Sequence, residues 1–125
     1  MLERARVLEV LEVYKQAWEG RDPDKILTIF TEDATYRERA FEEPCRGHEG
    51  LRRYWEETVV RGQVDIRFTL LHVYVDADTA IAEWEARFRD VRRRVPRHIR
   101  EVATLEFRGD KIASLREYWS AKPGG

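Results

Sequence analysis

The alternating stretch His98–Trp119 carries Glu101, Arg116 and Glu117 among apolar neighbours, where a purely structural ribbon would keep its charges outside. A carboxyl group held in an apolar chamber has its ionised form disfavoured; its pKa moves towards working pH and it becomes a useful proton carrier. Arg116 and Glu117 are adjacent, so on a strand they point to opposite faces and only one of them can share a chamber with Glu101. His72 falls on an apolar row further upstream, as a donor or base, or as a hydrogen-bonded core histidine. Trp18, Tyr54, Trp55, Phe68, Trp84 and Trp119 are a large supply of rings for a short chain. Most belong to a core, and any that converge on a pocket imply a flat or hydrophobic small molecule as its occupant. His48, His72 and His98 lie far apart, and the single Cys45 excludes an internal disulfide. No zinc-type spacing occurs, so neither metal nor cofactor is expected.

These side chains need a scaffold. The runs His98–Arg108 and Lys111–Trp119 meet at Gly109-Asp110, a dipeptide suited to the turns that match strand twist. The apolar content of this hairpin, from Ile99, Ala103, Leu105 and Phe107 to Ile112, Leu115, Tyr118 and Trp119, requires cover on at least one face. Helices upstream supply it. Val7, Leu11, Tyr14 and Trp18 are spaced four, three and four apart on one helical stripe that Gly20 ends. Asp22 then caps a second helix with Pro23 at its first position; Ile26, Leu27, Ile29 and Phe30 form its buried side, to about Thr31. Asp33–Glu38 alternates briefly as a possible strand, and a third helix carries Leu51, Tyr54, Trp55, Thr58 and Val59 to a stop at Gly62.

Beyond Gly62 the period becomes two. Val64, Ile66, Phe68, Leu70, His72 and Tyr74 share one face, and Asp76-Ala77-Asp78 turns the chain into Thr79–Asp90, whose apolar row is Ala82, Trp84, Ala86 and Phe88. A two-residue turn would put Phe68 and Leu70 beside Glu85 and Arg87, so a three-residue turn is expected. The other face, with Thr69, Leu71 and Val73 beside Glu83, Glu85 and Arg87, suits a self-complementary interface and predicts a homodimer. Helices followed by antiparallel strands define an α+β domain with a curved sheet wrapped around helices.

With 125 residues and 42% hydrophobic content, one domain over 1–125 can bury its own core. A net charge of −1 with 38% charged residues offers no global field for nucleic acid or an anionic membrane. Arg92-Arg93-Arg94, close before Pro96, reads most simply as a solvated hairpin tip, with a phosphate or partner contact as the minority reading. No apolar run is long enough for a bilayer or a secretory signal, and a cytoplasmic location is expected.

The order Tyr14…Trp18…Arg21-Asp22…Leu27…Phe30-Thr31-Glu32-Asp33-Ala34-Thr35-Tyr36, then Gly47–Trp55, then Leu105–Trp119 resembles the SnoaL-like branch of the nuclear transport factor two-like superfamily, over nearly the whole chain. The resemblance implies a cystatin-like cone: three N-terminal helices packed in a strongly curved mixed or antiparallel sheet, around an apolar cavity. That fold hosts ketosteroid isomerases, polyketide cyclases, dehydratases, limonene epoxide hydrolases and plain binding modules. Against the ketosteroid isomerase pattern, Tyr14 stands where a first-helix Tyr helps form an oxyanion hole, and Glu38 where a carboxylate is the general base. The family's protonated Asp falls at Ala103, so a neutral carboxyl has to come from Glu101 or from Glu117, whose face, with Leu115 and Trp119, the resemblance favours as the inner one. Both matching residues also admit structural readings. Tyr14 lies on the apolar stripe, and Glu38 sits in the run Arg37-Glu38-Arg39. The resulting expectation is a pocket for a small hydrophobic molecule with cofactor-free proton transfer, or a binding module without catalysis or a dimeric interaction module.

Overall fold

Val7, Val10, Leu11, Tyr14, Ala17 and Trp18 form the buried stripe of α1 (Arg4–Glu19) in the computed structural model, which describes residues 1–124. The Gly20 N–H closes the helix on the Gln16 carbonyl at 2.9 Å, and the Asp22 carboxylate accepts from the Lys25 N–H at 3.1 Å to start α2 (Pro23–Leu27). That helix is shorter than its sequence suggests. Ile29 and Phe30 leave it for the sheet: β1 spans Phe30–Arg37, and the Ile112 N–H donates to the Ile29 carbonyl at 2.9 Å. A five-residue helix holds few internal bonds, whereas a β-branched and an aromatic residue fit a pleated ladder well.

After β2 (Cys45–Arg46), α3 (Gly47–Tyr54) widens into a π-helical turn at Trp55–Val60 that buries Trp55 and Val59. Gly62 follows, where a Cβ would fall 2.5 Å from the Thr58 carbonyl oxygen, so only glycine lets the chain approach this closely. The strands β3 (Gln63–Asp76), β4 (Thr79–Asp90), β5 (Val95–Arg108) and β6 (Lys111–Pro123) then complete one curved, unclosed six-stranded sheet in the order β2-β1-β6-β5-β4-β3. Only β1 against β6 is parallel, which makes the sheet mixed.

The β5–β6 hairpin turns on Gly109-Asp110, with Arg108 opposite Lys111 and Gly109 at φ +66. The β3–β4 hairpin departs from expectation. Asp76 pairs with Thr79, so the turn has two residues, with Ala77 at φ 54. Phase is recovered instead by a bulge: Leu70 opposes Trp84 but His72 opposes Glu83, leaving Leu71 as the extra residue. One inserted residue exchanges the faces beyond it. Val73, expected outside, is therefore buried, while His72 and Tyr74, expected on the apolar row, are exposed.

The core gathers around Tyr14. Its ring lies edge-on to Trp18 and Trp55 at 6.0 and 5.9 Å and tilted against Trp84 at 5.1 Å, with Phe68 and Trp84 5.3 Å apart behind it. Each such pair adds about 0.5–1.5 kcal/mol beyond the area it buries. No helix among the described residues is long and apolar enough to cross a membrane.

Candidate functional site

Strand parity assembles the site. On β5 the residues Arg97, Ile99, Glu101, Ala103 and Leu105 alternate onto the concave face; β6 contributes Leu115, Glu117 and Trp119. Glu101 opposes Trp119 and Ala103 opposes Glu117, so the two carboxyls are diagonal neighbours on one face. Only 4% of Glu101 and 6% of Glu117 is exposed. In β1, Tyr36 pairs with Leu115 and shares their face, and Glu38 follows two residues later.

Three hydroxyl and carboxyl groups meet at the bottom. The Tyr36 hydroxyl donates to Glu117 Oε2 in a short contact, the Tyr14 and Tyr36 hydroxyls are 2.8 Å apart, and the Tyr14 hydroxyl lies 3.5 Å from the same Oε2. Burial pushes the Glu117 carboxyl well above the usual range, reinforced by the charge of Glu101; burial likewise pushes Glu101 up to about 8. Two acids this close share protons, and their titrations belong to the pair. Burial first, and the Glu117 charge second, also hold the phenols of Tyr14, Tyr36 and Tyr54 well above their ordinary value, so they remain donors. Glu101 Oε2 and Trp84 Nε1, opposed residues on neighbouring strands, are buried without a hydrogen-bond partner among the described residues.

Glu38 differs. Its side chain is 32% exposed with Arg39 Nε at 3.8 Å, and its backbone carbonyl accepts from Trp119 Nε1 at 3.0 Å. The Arg39 guanidinium covers the Trp119 ring at 5.1 Å. Together these groups bound a cavity of about 450 Å³, to whose wall the π-helical turn and the β4–β5 connection also contribute.

Tyr14, Trp18, Glu38, Tyr54, Trp55, Glu101, Glu117 and Trp119 all line this cavity. Phe68, Trp84 and Leu115 do not: they are buried behind it, with Leu115 sandwiched on the ladder between Leu105 and Tyr36. His72 is not part of it either; beyond the Leu71 bulge it lies exposed on the other face of the sheet. The chamber is also less oily than expected, because Arg92, Arg93, Arg97 and Asp90 stand in its wall. The arginine run is exposed, as a hairpin tip would be, while Arg92 and Arg93 also border the cavity and Arg92 reaches Glu57 at 2.8 Å. Sequence reasoning passed over Tyr36 and Arg97. Their parity with Glu38 and with Glu101 was the available signal.

A curved mixed sheet holding helices against its concave face, with acids on that face, is the nuclear transport factor two-like architecture. The chain belongs to the SnoaL-like domain family, whose model matches residues 10–115. No curated protein matches it by sequence. Among solved structures it is similar to the epoxide hydrolase/cyclase-like enzyme SalBIII of pyran ring formation in the polyether salinomycin, at 20% identity and TM-score 0.84, covering 99% of this chain and 100% of that one. A type 2 hexachlorocyclohexane dehydrochlorinase, LinA, aligns at 17% identity and TM-score 0.82 over 98% and 88% of the two chains. A protein of ketosteroid isomerase-like fold from Catenulispora acidiphila, in complex with trimethylamine, aligns at 23% identity and TM-score 0.80 over 90% and 85%. At these identities the likeness establishes the fold alone.

Proposed function

We propose that the cavity takes a small, largely hydrophobic molecule and that the protein performs cofactor-free proton transfer on it, of the isomerase, cyclase or dehydratase class. The observation that carries this reading is the Tyr14–Tyr36–Glu117 cluster, with Glu101 beside it, in one cavity with Glu38. The site contains two kinds of carboxyl: Glu38, which reaches solvent beside a guanidinium, and the dry pair Glu101 and Glu117. Environments that differ in this way divide acid and base roles between residues of one type. Glu38 takes the proton, and Tyr14 with a protonated Glu117 or Glu101 donates towards the charge that develops on the substrate. Relatives in fold whose names denote cyclisation and dehydrochlorination support the class of chemistry.

One feature favours a binding module instead. The Tyr14 hydroxyl already has Tyr36 and Glu117 as partners, so a ligand must compete for it. A screen for small molecules that raise the melting temperature identifies occupants, and Glu38→Gln and Tyr14→Phe then separate the two readings. Loss of turnover with binding retained supports catalysis; turnover unchanged in both variants overturns the assignment. Residence in the cytoplasm, and pairing of two copies through the outer sheet face, belong to the same proposal. The face offers exposed Tyr74, Val102 and Tyr118 beside Glu83, Glu85 and Arg100.

A further inference from the structure

Arg97 is an arginine on the concave row of a strand. It precedes Ile99 and Glu101 on the same face and lines the same cavity, and its Nε is buried without a hydrogen-bond partner among the described residues. A buried donor with no acceptor costs free energy unless something supplies one, and a guanidinium is best satisfied by a planar anion that takes two of its N–H groups.

The surrounding charges do not supply it. Asp90, at the end of β4 in the cavity wall, accepts the Arg93 backbone N–H at 3.0 Å, and no carboxylate of the described residues lies within ion-pair distance of Arg93 or Arg97. The other two cations of the wall are occupied: Arg92 by Glu57 at 2.8 Å, and Arg39 by Glu38 at 3.8 Å and the Trp119 ring. Arg97, with the exposed Arg93 beside it in the wall, thus lacks a carboxylate partner at one end of a cavity whose other end holds carboxyls whose charged forms burial disfavours. The two ends are set by one strand. Arg97 and Glu101 are four residues apart, on the order of 13 Å between Cα atoms in extended chain. Between them the wall is apolar and aromatic, from Ile99, Trp18 and Trp55.

We infer that the occupant is an organic anion: a flat apolar body whose carboxylate lies against Arg93 and Arg97, and whose far end presents a neutral acceptor oxygen to Glu101 and Glu117. This assignment names the ligand class of the site and rests on the cavity being a small-molecule site. Arg97 is then a specificity residue, selecting acids over their neutral analogues, while the proton chemistry stays at the other end.

Matched pairs test it: 2-naphthoate against 2-naphthamide, 1-naphthylacetate against 1-naphthylacetamide, and biphenyl-4-carboxylate against its amide. Each is titrated calorimetrically into the full chain, wild type, Arg97→Gln, Arg93→Gln and the Arg92→Gln control. The result expected is that the carboxylate of at least one pair binds about tenfold tighter than its amide, as a charged hydrogen-bonded pair contributes. That preference collapses in Arg97→Gln, weakens in Arg93→Gln and survives in Arg92→Gln. Arg93 lies on the exposed connection, so its variant stays informative should Arg97→Gln lose its fold. Equal affinities within every pair, or a preference that persists in both variants, overturns the anion assignment and leaves the cavity a small-molecule site. No binding by any compound overturns both.

Discussion

Glu117 stands directly across the β5–β6 ladder from Ala103, the position at which the ketosteroid isomerase pattern places its protonated acid. The neighbouring strand thus carries a carboxyl on the same face, held by Tyr36 and Tyr14. Because ladder partners have Cβ atoms only about 5 Å apart, such an exchange keeps an acid in the chamber while changing the strand that carries it.

This pairing makes Glu117 sensitive to what replaces it. Glu117→Gln keeps an acceptor for the Tyr36 hydroxyl and removes a buried ionisable group, so its stability is expected within about 1 kcal/mol of wild type. Glu117→Leu leaves a buried phenol without its acceptor and is expected to cost roughly 1–3 kcal/mol. Urea unfolding midpoints at constant m-value decide it; equal stability of the two variants would show that the hydrogen bonds contribute nothing.

Stability should fall with pH through the neutral range. Burial pushes the Glu101 carboxyl, one member of its pair with Glu117, from the usual 4.5 up to about 8 in the fold, so between those values the unfolded chain has lost a proton that the folded pair retains. The pair's contribution is complete below the unfolded value, declines as pH rises, and levels off above the folded one. Glu117 acts in the same direction. Melting temperatures across pH 5 to 8 should therefore decrease, and Glu101→Gln should flatten the slope. A slope that Glu101→Gln leaves intact would place its origin elsewhere.

The Leu71 bulge predicts opposite behaviour for neighbours. His72→Ala, on the exposed side, should change stability by no more than about 0.5 kcal/mol, whereas Val73→Ala on the buried side should cost ~1 kcal/mol or more. Thermal unfolding of the two variants gives the comparison, and the reverse order would restore the unbulged register.

A ligand of the folded state stabilises it by mass action. At about 100 times its dissociation constant it adds ~2.7 kcal/mol, and Glu38→Gln should keep that stabilisation while losing turnover. Thermal shift and product formation measured on the same samples separate a base from a binding contact.

Pairing through the outer sheet face predicts a solution mass near twice 14.9 kDa by light scattering. Val102, flanked on the ladder by Glu83 and Tyr118, lies at the centre of that face, and Val102→Glu should return the protein to monomer without unfolding it. A wild-type monomer rejects the interface.

The sequence by itself determined the elements and the family. Helical spacing at Val7, Leu11, Tyr14 and Trp18, the Asp22-Pro23 cap and the Gly109-Asp110 turn are local signals, written within a few residues of where they act. Parity alone also separated Glu117 from Arg116, and Arg116 faces outward onto Glu106. Tertiary structure decided what depends on partners far along the chain. Whether His72 or Val73 faces inward turns on one bulged residue set by β4, since the hydrophobic pattern fits a longer turn equally well. Phe30 joins the sheet because β6, some 80 residues later, offers it a ladder. The union of Tyr14, Tyr36 and Glu117, and the arginines in the same wall, exist only once four elements close on one space. No local pattern encodes that distance, because the alternation of a strand says which side a residue takes and not what it meets there.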